Sequence, residues 1–149
     1  MAKVRVTKQF DFEMAHALWN YDGPCRNIHG HSYRLFVTVT GDVIKQESSP
    51  KNGMLIDFGD LKKIIKTEII NEFDHAVMLN RAVPKELYSG MGQMLEKLRL
   101  VDYQPTCENM IADFARRIRE KLPSGIELFS LRLHETATSY AEWFESDNK

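Results

Sequence analysis

Hydrophobic and polar positions alternate at two places in the first third of the chain, and this pattern predicts two β-strands. The segment 4–13 places apolar residues between polar neighbours, as expected of a strand with one buried face. The segment 33–44 is rich in β-branched and aromatic residues, which favour strands, and Gly41-Asp42 marks a candidate bend or bulge within it. The polar segment 45–53 contains serines and a proline and predicts a loop inside one domain.

Two later segments show the spacing of three to four residues that is typical of amphipathic helices. The first follows a short apolar run and covers 61–69, with Asp57 or Asp60 available to cap its first turn. The second covers 106–122 and is the clearest helix in the sequence. Thr106 is its expected N-cap, and a proline and a glycine follow its end.

The C-terminal part of the chain predicts two further strands, at 126–136 and at 140–144. Alternation in the first of these assigns one face to Leu128, Ser130, Arg132 and His134 and the other to Phe129, Leu131, Leu133 and Glu135. Segment 82–104 is broken by proline and glycine and suggests only short helical turns. The order β-β-α-α-β-β predicts an α+β fold, a four-stranded antiparallel sheet with two helices on one face, in a single domain spanning 1–149.

Composition narrows the class of protein. A chain of 149 residues can bury a stable core without disulfide bonds or structural metals. Its 20 basic and 21 acidic residues give no net positive potential that would attract nucleic acid. Two cysteines in unlike contexts, Cys25 and Cys107, suit a reducing compartment. The N-terminal residues lack the apolar core of a signal peptide, and no apolar run reaches membrane length. We therefore expect a cytoplasmic protein with neither a nucleic-acid nor a membrane partner.

The most informative segment is 25–31, which reads Cys25-Arg-Asn-Ile-His29-Gly-His31. Residues two apart in a strand point the same way, so His29 and His31 can present two imidazoles to one ion. His16 can supply a third nitrogen from the neighbouring strand. Three histidines with an open fourth position are the ligand set of a catalytic zinc (Zn²⁺), and Cys25 is a potential nucleophile or base nearby.

A different zinc site is compatible with the same spacing. If the Cys25 thiolate joins the three imidazoles, it closes a tetrahedral site that is structural rather than catalytic. Spacing alone leaves both possibilities open.

Several short motifs together resemble the 6-pyruvoyl-tetrahydropterin synthase family. They occur in the order of that family and span 10–136. The motifs are Phe12-Glu13-Met14-Ala15-His16, Cys25-x3-His29-Gly30-His31-Ser32-Tyr33, Ile56-Asp57-Phe58-x2-Leu61-Lys62, Phe73-Asp74-His75-x3-Leu79-Asn80, Pro105-Thr106-x-Glu108-Asn109 and His134-Glu135-Thr136. The three residues between the cysteine and the first histidine resemble the bacterial 6-carboxy-tetrahydropterin synthase branch, a step of queuosine biosynthesis.

The resemblance implies a reaction. The substrate would be 7,8-dihydroneopterin triphosphate, with its side-chain hydroxyls on a zinc held by the three histidines. Cys25 would move protons as a thiolate, assisted by Asp74, which orients His75. Without the family resemblance, Asp74 and His75 are equally explained as residues that stabilise the end of the preceding helix. In the carboxy branch triphosphate and acetaldehyde leave; in the rival pyruvoyl branch only triphosphate is lost. A non-enzymatic zinc-stabilised binding module is the distant alternative.

The resemblance also implies a pterin pocket and an assembly. Glu135 would anchor the pterin, because a carboxylate can accept two hydrogen bonds from an amino-pyrimidinone edge. Thr106 and Glu108 would line the same pocket, although helix capping also explains both. Candidate cations for the triphosphate are Lys8, Arg26, Arg34 and Arg132. The family adopts the tunnelling fold, in which trimers stack into hexamers and a neighbouring subunit supplies the Asp-His pair. We therefore expect a homo-oligomer, a hexamer built as a dimer of trimers.

Overall fold

The computed structural model describes residues 2–149 and contains one six-stranded mixed sheet. The strands are β1 (Lys3–His16), β2 (His29–Asp42), β3 (Ala76–Asn80), β4 (Leu98–Val101), β5 (Glu127–His134) and β6 (Tyr140–Phe144). Their order across the sheet is β4-β3-β1-β2-β5-β6. Neighbours from β1 to β6 pair antiparallel, whereas β3 pairs parallel with both β1 and β4.

The prediction of four antiparallel strands was therefore wrong in strand number and in direction. The four predicted strands exist and are antiparallel, but β3 and β4 extend the sheet beyond β1. These two strands have five and four residues and carry short apolar runs without alternation. Such runs are typical of parallel strands, and periodicity does not separate them from buried pieces of helix.

Three helices accompany the sheet: α1 (Phe58–Ile65), α2 (Asn71–Phe73) and α3 (Cys107–Arg119). A π-helical turn, Lys66–Ile70, joins α1 to α2, so the single helix predicted here is continuous but locally widened. The predicted caps are confirmed, since Asp57 accepts a hydrogen bond from Gly59 N at 2.7 Å and Thr106 accepts one from Asn109 N at 3.1 Å. Across residues 2–149, none of the helices has the length and apolarity that a membrane span requires.

The helices pack on one face of the sheet and form a single core with it. Phe12, Tyr33 and Leu35 contribute from the strands, and Leu61 and Phe114 contribute from the helices. The residues that alternate with these on β1 and β2 are mostly exposed and polar. This alternation also brings His16 and His31 to the core face, at the end of the β1–β2 pair.

A β-bulge in β5 changes which of its residues face the core. Thr38 pairs with Ser130 and Val39 with Leu128, so Phe129 is an extra residue in the register. Leu128, Leu131 and Leu133 are consequently all buried. The predicted faces of this strand were wrong at Leu128, because strict alternation does not anticipate a residue that is left out of the pairing.

Gly41 is packed too tightly to carry a side chain. A Cβ at this position would lie 2.6 Å from Leu55 Cδ1 and 2.7 Å from the Gly125 carbonyl oxygen. We expect Gly41→Ala to lower the free energy of unfolding by about 1–3 kcal/mol, the usual cost of overpacking. Urea unfolding followed by circular dichroism measures this. Gly90→Ala is the matched control, because a Cβ there meets nothing within 4 Å among residues 2–149, and an equal effect of both changes would contradict the packing argument.

Candidate metal and substrate site

Three histidines converge at one end of the sheet. His16 ends β1, and His29 and His31 begin β2 directly opposite it in the antiparallel register. One ring nitrogen from each lies within 4.8 Å of the other two. The prediction that His29 and His31 share a face of a strand with His16 beside them is confirmed as geometry.

Backbone carbonyls orient two of these imidazoles. His16 Nδ1 lies 2.7 Å from the Pro105 oxygen, and His29 Nδ1 lies 2.7 Å from the Asn27 oxygen. A carbonyl can only accept, so both Nδ1 atoms carry the proton and both Nε2 atoms carry a lone pair. This arrangement matches the carbonyl partners that fix metal-binding histidines elsewhere.

The ring nitrogens that remain without a donor could hold a metal ion. His16 Nε2 and His29 Nε2 are only 3.1 Å apart, and with both Nδ1 atoms protonated neither has a hydrogen to donate to the other. His31 Nε2 is buried and has no hydrogen-bond partner among the described residues. Two lone pairs and a third ring nitrogen without a partner converge here, and such a group fits a divalent metal ion such as zinc.

The electrostatics of the site also favour neutral imidazoles, the form that binds metal. Burial lowers the pKa of His16 from 6.5 to about 4, against the raising effect of the Pro105 carbonyl. Burial likewise lowers the pKa of His31, although the nearby Glu135 carboxylate opposes the shift. At neutral pH these two ligands need not lose a proton before they coordinate.

Glu135 lies beside the histidine group. Its Oε1 is 3.6 Å from His16 Nε2 and 3.7 Å from His31 Nε2. A cavity of about 370 Å³ borders Glu135 and is lined by Glu108, Ser139 and Tyr140, among others. Thr106 caps the helix on which Glu108 lies. The structure therefore brings Glu135 and Glu108 to one cavity beside the three histidines.

The two cysteines have different environments. Cys25 is half-buried in a short 3₁₀ turn, Pro24–Arg26. Within the described part of the chain, its thiol does not belong to the group of donors that lie within 4.8 Å of one another. Cys107 is buried, its Sγ contacts the Leu133 carbonyl at 3.2 Å, and burial raises its pKa to about 12. Cys107 is thus a buried residue whose thiol is not activated as a nucleophile.

Asp74 and His75 form the predicted pair. His75 Nδ1 lies 3.0 Å from Asp74 Oδ1, and the same oxygen accepts a hydrogen bond from Glu13 N at 2.9 Å. The His75 side chain is 76% exposed and borders a depression shared with Glu13 and Ser32. Glu13 and Ser32 alternate with core residues and therefore point to the outer face of the sheet. Asp74 and His75 lie at that face, and His31 also borders the depression.

His75 adopts a left-handed backbone conformation, with φ of 62°. Glycine accepts this conformation without strain, whereas a Cβ disfavours it. We expect His75→Gly to be more stable than His75→Ala by about 1 kcal/mol, while both lose the imidazole and therefore the same fraction of any activity. Thermal unfolding of the two variants measures the difference. Equal stability would show that the backbone is relaxed at this position.

The four candidate cations do not gather at one point. Lys8 approaches the Phe10 ring, and Arg132 lies near Glu142 and over the Tyr140 ring at 4.8 Å. Arg34 lies on the exposed face of β2, and Arg26 lies beside Cys25 in the 3₁₀ turn. Nothing in these contacts ranks one of them above the others for a phosphate group.

Sequence reasoning assigned no role to Tyr33, although this residue lies in the site. Its ring packs between Phe12 and the histidines, and its hydroxyl is buried. Burial and the nearby Glu135 and Cys107 raise its pKa above the ordinary value for tyrosine. The sequence could have indicated this residue, because Tyr33 lies two positions after His31 and the two side chains therefore share one face of β2.

The α+β domain combines three imidazoles that could hold a metal ion with an adjoining acidic cavity, an arrangement typical of sites for small molecules. The match to known families is more specific. Residues 5–146 match the family model described as 6-pyruvoyl tetrahydropterin synthase, and the chain belongs to this family.

Individual relatives agree with this assignment. The chain is 38% identical to 6-carboxy-5,6,7,8-tetrahydropterin synthase of Haemophilus influenzae, over 95% of this chain and 99% of the relative. It is 33% identical to the Synechocystis protein of the same name, over 93% and 92% of the two chains. The structure of Caenorhabditis elegans 6-pyruvoyl tetrahydropterin synthase superposes with a TM-score of 0.68 at 23% identity, covering 97% of this chain and 96% of that one. The last similarity concerns the fold alone.

Proposed function

We propose that this protein is a zinc-dependent lyase, a 6-carboxy-5,6,7,8-tetrahydropterin synthase. It would convert 7,8-dihydroneopterin triphosphate to 6-carboxy-5,6,7,8-tetrahydropterin, with release of triphosphate and acetaldehyde. The observation that carries the proposal is the 38% identity over nearly the whole length of both chains to a relative of that name. The group of three histidines supports it, because the chemistry requires a Lewis acid. The product would serve queuosine biosynthesis, in the cytoplasm.

His16, His29 and His31 would hold the zinc through their Nε2 atoms. Zinc, when bound, lowers the pKa of an oxygen ligand and stabilises the negative charge that develops on it. The Pro105 and Asn27 carbonyls keep two of the imidazoles in the tautomer that this role needs. Because burial lowers the pKa of His16 and of His31, no proton has to leave these two residues at neutral pH.

Glu135 would bind the pterin ring. An ionised carboxylate accepts two hydrogen bonds, which suits the amino and ring N–H donors of an amino-pyrimidinone. The neighbouring cavity of about 370 Å³ contains Glu108 as a second acceptor, and Thr106 fixes the start of the helix beneath it. This arrangement brings the pterin side chain towards the three histidines.

Proton transfer would involve Cys25, Asp74 and His75. Asp74 orients the His75 imidazole across 3.0 Å, and an imidazole held in this way can exchange protons with a thiol. Since the pair lies at the outer face of the sheet, a second copy would supply it. We therefore propose a homo-oligomer, a hexamer of two stacked trimers, in which each site uses residues of two subunits.

The rival function is that of a 6-pyruvoyl-tetrahydropterin synthase, which eliminates triphosphate and keeps the side chain. The description of the matching family model favours it. The same residues would serve both reactions, so the two functions differ in their products rather than in the location of the site.

A product assay separates these functions. Zinc-loaded protein is mixed with 7,8-dihydroneopterin triphosphate without oxygen, and the pterin is analysed by mass spectrometry beside an acetaldehyde test. We expect a carboxy-tetrahydropterin together with acetaldehyde. A pyruvoyl product without acetaldehyde would establish the rival function. No turnover by protein that holds zinc would overturn both.

A further inference from the structure

Tyr33 carries a buried hydroxyl group that the fold does not satisfy. The residue is 0% exposed, and its Oη has no hydrogen-bond partner among residues 2–149. An unpaired buried hydroxyl is costly, and a phenylalanine would fill the same space without that cost. The hydroxyl is therefore expected to have a partner in the loaded protein.

The Tyr33 ring is held firmly beneath the histidine group. It stacks on Phe12 with 5.0 Å between centroids and an interplanar angle of 7°. The His31 and His16 rings meet it at steep angles, with centroids at 5.6 and 6.2 Å. Contacts on these sides leave the ring little freedom to rotate, so the direction of the hydroxyl is fixed by the core.

Glu135 is the natural partner of this hydroxyl. Arg34 pairs with His134, the last residue of β5, and Tyr33 and Glu135 are the next residues beyond this pair. Glu135 lies close enough for its charge to act on the Tyr33 hydroxyl, and its Oε1 lies beside His16 and His31, whose rings contact the Tyr33 ring. Leu133, two residues before Glu135, and Leu35, two residues after Tyr33, are both buried in the core. The side chains of Glu135 and Tyr33 therefore point to the core face as well.

The Glu135 carboxylate would lack a hydrogen-bond donor once the histidines bind a metal ion. Its Oε1 lies 3.6 and 3.7 Å from the Nε2 atoms of His16 and His31, the atoms that would coordinate the metal. A metal-bound Nε2 has no hydrogen to offer, so these histidines cannot serve the carboxylate. Without another donor, Glu135 would turn towards the metal as a fourth ligand.

We propose that Tyr33 is a positioning residue whose hydroxyl donates a hydrogen bond to the Glu135 carboxylate and holds it towards the pterin cavity. The proposal rests on the proposed function, since it requires a pterin ligand. One carboxylate oxygen is steadied from inside the protein, and the remaining lone pairs receive the pterin. Tyr33 would thus decide whether Glu135 binds substrate or metal.

The test compares Tyr33→Phe, Glu135→Ala and the double variant, all loaded with zinc. Neopterin, titrated by its fluorescence, is the probe for the pterin cavity, and zinc content is measured for each protein. We expect Tyr33→Phe to fold, to keep its zinc and to bind neopterin about tenfold more weakly, as for loss of a hydrogen bond to a charged group. In the Glu135→Ala background the same change should have no further effect.

Tyr103→Phe is the matched control. The Tyr103 hydroxyl donates to Asp113 Oδ2 at 2.7 Å, and both residues line a depression other than the cavity beside Glu135. Its loss should lower the melting temperature and leave neopterin affinity unchanged. This pattern is the opposite of that expected for Tyr33→Phe, in which binding changes and folding does not.

Each remaining outcome overturns the inference. Wild-type affinity in Tyr33→Phe would show that the hydroxyl has no part in pterin binding. Additive losses in the double variant would show that Tyr33 acts independently of Glu135. Both results leave the proposed function intact, whereas a wild-type protein that holds zinc and binds no neopterin would overturn the proposed function as well.

Discussion

Replacing His29 with alanine is expected to strip the metal from the protein and to abolish turnover. The three nitrogens lie within 4.8 Å of one another, and two imidazoles alone form a weak site. Loss of an outer-shell partner already costs about 10–100-fold in metal affinity, so loss of a ligand should exceed about 100-fold. His29 is only half-buried, and its loss should therefore leave the fold intact.

The measurement is zinc per chain after dialysis against a weak chelator, together with the product assay. His134→Ala is the control, because His134 lies outside the group of three and should retain stoichiometric zinc. Full metal content in His29→Ala would contradict the ligand set. Recovery of activity on adding zinc to the stripped wild-type protein would confirm that the ion is required.

Replacing Cys25 with alanine is expected to reduce turnover by about 10²–10⁴-fold, the usual contribution of a positioned acid or base. Zinc content and melting temperature should not change, because the Cys25 thiol lies outside the histidine group within the described part of the chain. Metal analysis, thermal unfolding and the product assay on one preparation provide the three values.

Cys107→Ala should give the opposite result. Its Sγ contacts the Leu133 carbonyl inside the core, so the change should lower the melting temperature and leave zinc in place. If Cys25→Ala instead loses zinc and stability together, Cys25 is a fourth ligand and the site is structural. This outcome would favour a zinc-stabilised binding module over an enzyme.

The parts of the fold that the sequence predicted are those encoded by local patterns. Strands β1 and β2 alternate, and helix α3 has a continuous apolar stripe with a capping threonine. The parallel strands β3 and β4 depend on partners that are distant in the sequence. Their short apolar runs are recognisable as strands only when β1 provides an edge with which they can pair.

The same distinction applies to the site. The spacing of His29 and His31 predicts that both side chains point to the same face, because side chains in a strand alternate with a period of two. The carbonyls of Asn27 and Pro105 have no sequence signal, since every residue has one. That Pro105 orients His16 follows from a contact between residues 89 positions apart, and only the folded chain brings them together.

The bulge at Phe129 gives strand β5 an unusual sensitivity to chain length. Five residues separate Phe129 from Glu135, and the extra residue at the bulge sets which side of the sheet each of them occupies. Deleting a single residue between the bulge and Glu135 would turn His134 to the core face, in the place of Leu133, and would turn the Glu135 carboxylate outward. Point substitutions along this strand are far milder, so homologues should vary in side chains here while conserving the residue count.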